Sequence, residues 1–586
     1  MLKQLKNLRK IDWLYVLIAF ALIFGNCWFE LEIFDYMAEI TSMITTAGTT
    51  VAQVVEKGLY MLLFAVLSMS MLVISKYFVS NVASSLGKTL RSRVFDKVVN
   101  FSSGEIKHFS TASLITRTTN DITQVQNLIS MGMQIMFKAP IMAVLAVLKI
   151  VESNLAWTLA TVLAVVFIVI SIIIIVCVVM PRFKRIQTLT DNLNRVTREG
   201  LTGTRVVRAF NAEDYQEEKF EKANKDITDN HLFTNKWMSL MDPVMNFVMS
   251  GLPLAIYIIG AMLIGGAELI DEKRILLGQM MTFSGYAIQV VMSFVMLIMI
   301  SIMLPRAQVS ARRINEVLET KNSVPDGAGM EAPIKTGEVQ FVNVGFKYPD
   351  AEEYVLHDIS FKATKGDVVA FIGSTGSGKS TLINLVPRLY DATEGQVIVD
   401  GVNVKDYTIE QLNDKIGYIS QKAILFSGTV KDNIVMGEKG GLKPTAEEVE
   451  EAVEISQSKF VYDLEGGLDA RIDQGGKNVS GGQKQRISIA RALARKPEIL
   501  IFDDSFSALD YKTDKALRMA LKEKADETTC LIVAQRIGTI KDADKIIVLD
   551  KGSIVGEGKH DELMKTCSVY KEIALSQLSK EELKNA

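Results

Sequence analysis

Gly373-Ser374-Thr375-Gly376-Ser377-Gly378-Lys379-Ser380, followed by Thr381, fits the pattern G-x-x-x-x-G-K-[ST]. The preceding Val368–Ile372 is apolar and β-branched, and Thr381–Leu389 reads as a helix. Strand, glycine turn and helix are the context this motif requires. The glycines let the backbone curl so that successive N–H groups face phosphate oxygens. Lys379 is then placed for the β- and γ-phosphates of a nucleotide and Ser380 for Mg2+. Around the motif, from Glu338 onward, short β-branched runs alternate with helical ones: Val339–Phe341, Val397–Val399, Ile416–Ile419, Ile499–Phe502, Cys530–Ala534 and Lys545–Leu549. That alternation predicts an α/β domain with a mainly parallel core sheet. Ile499–Asp503 is an apolar strand closing on a carboxylate, the element that holds the metal in phosphate-loop sites.

Upstream the character changes. The 586 residues are 48% apolar and 23% charged, yet the mean hydropathy is positive at +0.21. Six apolar runs, each long enough to cross a bilayer, account for this: Trp13–Phe34, Gly58–Ser80, Gln134–Val151, Leu155–Met180, Met241–Gly265 and Leu276–Leu304. The first follows four basic residues as a signal peptide would. No small-residue cleavage site comes after it, so it reads as a retained span. The loops Lys88–Leu128 and Pro181–Trp237 together hold seventeen Lys/Arg, against three in Asp35–Lys57, Glu152–Asn154 and Gly266–Ile275. This asymmetry places both termini and the two long loops in the cytoplasm. Gln187–Asp226 is polar and almost free of helix breakers, so the helices are expected to run on beyond the membrane. Lys138 and Asp242 are expected near the inner edge, and Lys149 with Glu152 near the outer edge, where snorkelling explains them. Lys321–Gly337 (KNSVPDGAGMEAPIKTG) reads as a linker between a membrane domain over 1–320 and a nucleotide-binding domain over 338–586. A balance of 65 basic against 67 acidic residues argues against a nucleic-acid binder, and four scattered cysteines against a disulfide framework or zinc site.

Val479-Ser480-Gly481-Gly482-Gln483, with Lys-Gln-Arg and Ile-Ala-Arg-Ala behind it, resembles the signature of ATP-binding-cassette ATPases. Six spans followed by one cassette is the layout of an exporter-type half-transporter in that family. The resemblance implies that Tyr348 stacks on adenine and that Gln421 links Mg2+ to the membrane domain. It also implies that Ser507–Asp510 forms the loop crossing to a second cassette. Thr111–Asp121 and Glu213–Glu217 look like the coupling helices that dock on the cassettes, although a solvated charged face would read the same way. In this family ATP lies between one chain's phosphate loop and the other chain's Ser-Gly-Gly, so a chain with one cassette must pair.

Two positions depart from the family. The residue after the metal aspartate is normally Glu, which polarises the attacking water; here it is Asp504. After the strand Cys530–Ala534 the family has His; here it is Gln535. A third, smaller departure is Gln474, where exporters usually carry Glu. Asp504 and Gln535 together resemble the degenerate-site subunit of bacterial heterodimeric multidrug exporters. On that reading the chain binds ATP with Mg2+ through Ser380, Gln421 and Asp503, hydrolyses it poorly, and lends Ser480–Gln483 to a partner bearing the catalytic Glu. A homodimer with two slow sites is the alternative. In the sixth run Met292, Met296, Met299 and Met303 fall on one helical face, suited to amphipathic or lipophilic cargo. The expected protein is a multi-pass cell-membrane pump. A lipid or peptide exporter of the same fold, or an ATP-gated channel or sensor, stands as the alternative.

Overall fold

The computed structural model describes residues 6–46, 48–151, 154–330, 337–349, 351–523 and 528–577. The chain divides into two compact units. One comprises Met1–Lys97 with Ala112–Glu319; the other joins Val98–Thr111 to Thr320–Ala586. Of the linker segment, residues 331–336 lie outside the described residues.

In the first unit, six helices among the described residues are long and apolar enough to cross a membrane: Lys10–Ile44, Val51–Val99, Thr111–Val151, Leu155–Thr202, Glu213–Gly266 and Ile270–Glu319. Leu155–Thr202 has 48 residues. At about 1.5 Å per residue it is roughly twice as long as the ~30 Å hydrocarbon core, so its polar half stands in water. The outer loop expected over Asp35–Lys57 is much shorter. Helix continues to Ile44 and resumes at Val51, because no glycine or proline interrupts the chain between Asp35 and Gly48. Some polar groups between spans pair across helices, as a low-dielectric setting favours. Asn26 Nδ2 donates to Ser68 O and Oγ at 3.0 and 2.8 Å, and Trp157 Nε1 donates to Ile256 O at 3.1 Å.

The second unit holds three sheets among the described residues. Its strands are β1 (Val339–Phe346), β2 (Leu356–Ala363), β3 (Val368–Gly373), β4 (Glu394–Val399), β5 (Val402–Asn403), β6 (Ile416–Ile419), β7 (Gly428–Thr429), β8 (Arg471–Ile472), β9 (Ile499–Asp503), β10 (Thr529–Val533), β11 (Lys545–Asp550) and β12 (Ser553–Gly558). The core sheet runs β12-β11-β3-β10-β9-β6, and all its neighbours are parallel except β11 with β12. β2-β1-β4-β5 is antiparallel, as is the smallest sheet, the pair β7-β8. Val397–Val399, read as part of the alternating pattern, therefore belongs to the second sheet. β3, β10 and β9 are near-continuous apolar runs, apart from Thr529 and Asp503 at their ends, because both faces of a parallel sheet are covered. One face packs on Phe371, Ile501, Leu531 and Ile547, the other on Ile372, Phe502, Ile532 and Val548. Ligands of such sheets collect at the carboxyl ends of the strands. The phosphate loop, Asp503–Asp504 and Gln535 all leave adjacent strands at that end.

Candidate functional site

The loop Gly373–Gly378 ends β3 and enters the helix Lys379–Ile383. Gly376 and Gly378 have φ of +86° and +96°, and a Cβ on Gly378 would meet Leu356 Cδ2 at 2.7 Å. Both conformation and space therefore require glycine at 378. The helix is shorter than the expected Thr381–Leu389. Pro387 has no N–H to give and crowds the carbonyl four residues back, so the chain passes into turns after Ile383.

A cavity of about 350 Å³ opens over the loop, lined among others by Thr375, Gly376, Lys379, Ser380, Thr381, Gln421, Asp504 and Gln535. Lys379 Nζ folds back on the loop and donates to Gly373 O (2.9 Å), Ser374 O (2.7 Å) and Ser377 Oγ (3.3 Å). Burial pushes its pKa down, against the pull of Asp504 and Asp503. Ser380 Oγ donates to Asp503 Oδ1 at 2.6 Å, and Tyr418 Oη lies 3.5 Å from Asp503 Oδ2. Burial raises the Asp503 carboxyl, the Asp504 charge adds to this, and the bonds from Ser380 and Tyr418 oppose it. A hydroxyl and a carboxylate converging at the phosphate loop are hard oxygen donors and fit Mg2+.

Asp504 is buried and has a left-handed backbone, φ +50°. Its Oδ2 accepts from Gln535 Nε2 at 2.6 Å and from Gln421 Nε2 at 3.1 Å. Two neutral amides thus close on one oxygen of the Asp504 carboxylate. The departures at 504 and 535 touch each other, and the glutamine assigned to the metal is drawn into the same clasp.

Ser480 caps the helix Gly481–Leu493: its Oγ accepts from Gln483 N at 3.3 Å, and Gln483 Oε1 from Ser480 N at 2.9 Å. Ser480 and Gly481 are exposed, and none of Ser480–Gln483 lines the cavity over this chain's own loop. Tyr348 is half-buried, its hydroxyl 2.9 Å from Thr381 Oγ1.

Both proposed coupling segments need correction. Thr111–Asp121 is the start of the third spanning helix, with Asp121 buried against Ser310 and Arg313. The short helix between spans two and three is Ser103–Phe109, and it belongs to the cassette unit. Its Ser102-x-x-Glu105 capping box was a readable sequence signal. Glu213 opens the 26-residue helix Glu213–Met238, and the short helix is Thr204–Ala209, flanked by exposed Leu201 and Phe210.

The lysines of the third span do not simply snorkel. Lys138 Nζ sits 2.7 Å from Glu30 and Lys149 Nζ 2.7 Å from Asp35, with Glu32 at 3.8 Å. Gln289 donates to Glu30, and the Tyr286 hydroxyl bonds Asp35. Glu152 lies outside the described residues. Sequence reasoning passed over Glu30, Glu32 and Asp35, although carboxylates inside or beside an apolar run are themselves the signal. In the sixth span Met292, Met296 and Met303 are half-buried and Met299 is exposed.

Fold and site together define a multi-pass membrane protein with a phosphate-loop nucleotide-binding domain. The ABC transporter family matches residues 356–507 and the ABC transporter transmembrane region matches 16–294. An uncharacterized ABC transporter ATP-binding protein of Mycobacterium tuberculosis is 38% identical over 542 residues, covering 92% of each chain. A Bacillus subtilis ATP-binding/permease protein provisionally named for multidrug export is 30% identical over 501 residues, covering 85% of each. An ATP-dependent lipid A-core flippase of Aromatoleum aromaticum is 31% identical over 509 residues, covering 87% of this chain and 83% of its own. The fold matches a bacterial Atm1-family ABC exporter solved with ATP bound, with a TM-score of 0.75 and 23% identity over 97% of this chain and 98% of that one. The chain belongs to the ABC transporter family, as an exporter half-transporter: a membrane domain fused to an ATP-binding domain. It is a multi-pass membrane protein whose cassette lies in the cytosol.

Proposed function

We propose that this chain is the degenerate-site half of a heterodimeric exporter of lipophilic or amphipathic compounds. Its membrane domain covers 1–320, its linker 321–337 and its cassette 338–586. The clasp on Asp504 carries the reading. A general base must reach the proton it accepts, and here the short carboxylate already accepts from Gln535 and Gln421. A misplacement of about 1 Å at such a position can cost ~10²-fold in rate. Tyr348 stacks on the base, Gly373–Thr381 cradles the phosphates, and Ser380, Asp503 and Gln421 hold Mg2+. That ion neutralises phosphate charge and draws electron density from the terminal phosphoryl group when it is bound. Ser480–Gln483, with Ser480 and Gly481 exposed, completes the competent site of a partner chain that supplies the catalytic Glu. Half-exposed methionines on the sixth span support an apolar, adaptable cargo surface. A lipid is the second reading of the cargo, favoured by the identity to the lipid A-core flippases.

The test is the ATPase rate of the purified chain alone in nanodiscs against the chain co-expressed with its partner. The chain alone should turn over about 10²-fold more slowly. Equal rates would mean two equivalent sites and would overturn the heterodimer.

A further inference from the structure

Lys107, on the short helix Ser103–Phe109, places its ammonium 4.7 Å from the ring centre of Tyr348 and 5.5 Å from that of Tyr390. The two rings stand at 88° with centres 5.3 Å apart, so the cation occupies an aromatic corner. Phe346 meets Tyr348 edge to face at 5.0 Å, and the Tyr348 hydroxyl is held by Thr381, the residue closing the phosphate loop. The ring is therefore tied to the loop at one end and to Lys107 over its face. The short helix that carries Lys107 is held in place. Glu105 accepts from Ser102 N and Ser102 Oγ in the capping box, and its other oxygen accepts from Ser323 N at 3.0 Å. Ser102 Oγ lies 2.9 Å from Ser323 Oγ, and Asn322 Nδ2 donates to Asn100 O at 2.8 Å.

We propose that Lys107 is a positioning residue for base recognition: it holds the Tyr348 ring in the orientation that stacks on the nucleotide base. This rests on the reading of Tyr348 as the base-stacking residue. A cation on one face of an aromatic ring is attracted by its quadrupole, and it also withdraws electron density, which favours stacking of an electron-rich purine. Linkage makes the effect reciprocal. If Lys107 favours a stacked base, a stacked base favours the seating of Ser103–Phe109. The interaction is selective for nucleotides over bare phosphates, because it touches only the ring. Lys107 is exposed, so the effect belongs at the weak end of the cation–π range, about two- to fivefold in affinity.

The experiment is photolabelling of the full chain, with its partner, by 8-azido-ATP. The two chains are resolved on a gel, and labelling is competed by ATP or by inorganic triphosphate. Lys107→Gln should weaken competition by ATP about two- to fivefold and leave competition by triphosphate unchanged. Lys107→Arg, which keeps a cation for the ring, should match the parent. Tyr348→Leu should weaken ATP, and adding Lys107→Gln to it should do nothing more. An equal loss for ATP and triphosphate would overturn the proposal, since the lysine would then act as a general charge. So would additive effects of the two changes. Normal ATP affinity in Tyr348→Leu would instead defeat the stacking reading and the proposal with it. Should Tyr348→Leu fail to fold, the comparison of Arg with Gln at 107 still decides: equal affinity in those two variants refutes the role.

Discussion

Asp504→Glu alone should do little, and Asp504→Glu with Gln535→His should restore hydrolysis at this chain's site. A glutamate extends the carboxylate by one C–C bond, about 1.5 Å. Gln535 Nε2 already stands 2.6 Å from Asp504 Oδ2 and Gln421 Nε2 3.1 Å from the same oxygen. The space a longer side chain would enter is filled by these amides, so the single change leaves the carboxylate displaced or clasped as before. Replacing Gln535 opens the position and also supplies a group able to carry a proton. If the deficit is a misplacement of about 1 Å, the double variant should gain ~10²-fold in phosphate release and Asp504→Glu less than about tenfold. The measurement is single-turnover release of labelled phosphate in nanodiscs, with the partner's catalytic Glu replaced by Gln to silence the other site. Equal rates for the single and double variants would show that the clasp is not the obstacle. No gain in either would show that the defect lies outside Asp504 and Gln535.

Ser480→Ala should reduce turnover of the pair more than Asp504→Asn does, because Ser480 serves the competent site and Asp504 the impaired one; steady-state ATPase of both variants checks the ranking, and the reverse order would make Asp504 a working base. Glu105 is buried, which pushes its pKa up, but the bonds from Ser102 and Ser323 outweigh burial and hold it below the usual carboxylate range. A lowered carboxyl contributes stability above its unfolded value, about 4.3, and loses it as pH falls through the lowered one. Hydrogen exchange of Ser103–Phe109, corrected for intrinsic rates, should therefore be flat from neutral pH to about 4.5 and rise below it. Glu105→Gln, which sets an amide against N–H donors, should lose about 1–3 kcal/mol of local protection even at pH 7. Lys138→Met should destabilise the membrane domain by about 1–3 kcal/mol by leaving Glu30 without its cation, and adding Glu30→Gln should recover most of it, read as thermal unfolding in detergent.

The phosphate loop was legible because its signal is local: strand, glycines, lysine and helix lie within about twenty residues. The six spans were legible for the same reason, since a run of apolar residues needs no partner to be recognised. The capping box Ser102–Glu105 is equally local, and it marks the short helix between spans two and three that the reading of Thr111–Asp121 passes over. β2 went unread because its alternation of Ile359, Phe361 and Ala363 with Ser360 and Lys362 is short, and the adjacent polar pair His357-Asp358 breaks the period of two at a shift in register with β1. The ion pairs of the membrane domain are of another kind. Lys138 and Glu30 are 108 residues apart, and nothing in either neighbourhood names the other.

The clasp on Asp504 shows why such pairings need the sheet. β6, β9 and β10 are parallel neighbours, with Ile419 opposite Phe502 and Asp503 opposite Val533. Gln421 stands two residues past its register position, Asp504 two past Phe502, and Gln535 two past Val533. The three side chains therefore leave the sheet at nearly the same height, and parallel pairing brings them to one point although they span more than a hundred residues of sequence. Each departure from the family was visible singly, but their contact was not. Once the register is known, they stop being independent: a carboxylate shortened at 504 leaves room for an amide at 535, and that amide in turn bars a longer carboxylate. Residues that share an atom in this way do not contribute additively, which is why reversing either one alone is expected to fail where reversing both succeeds.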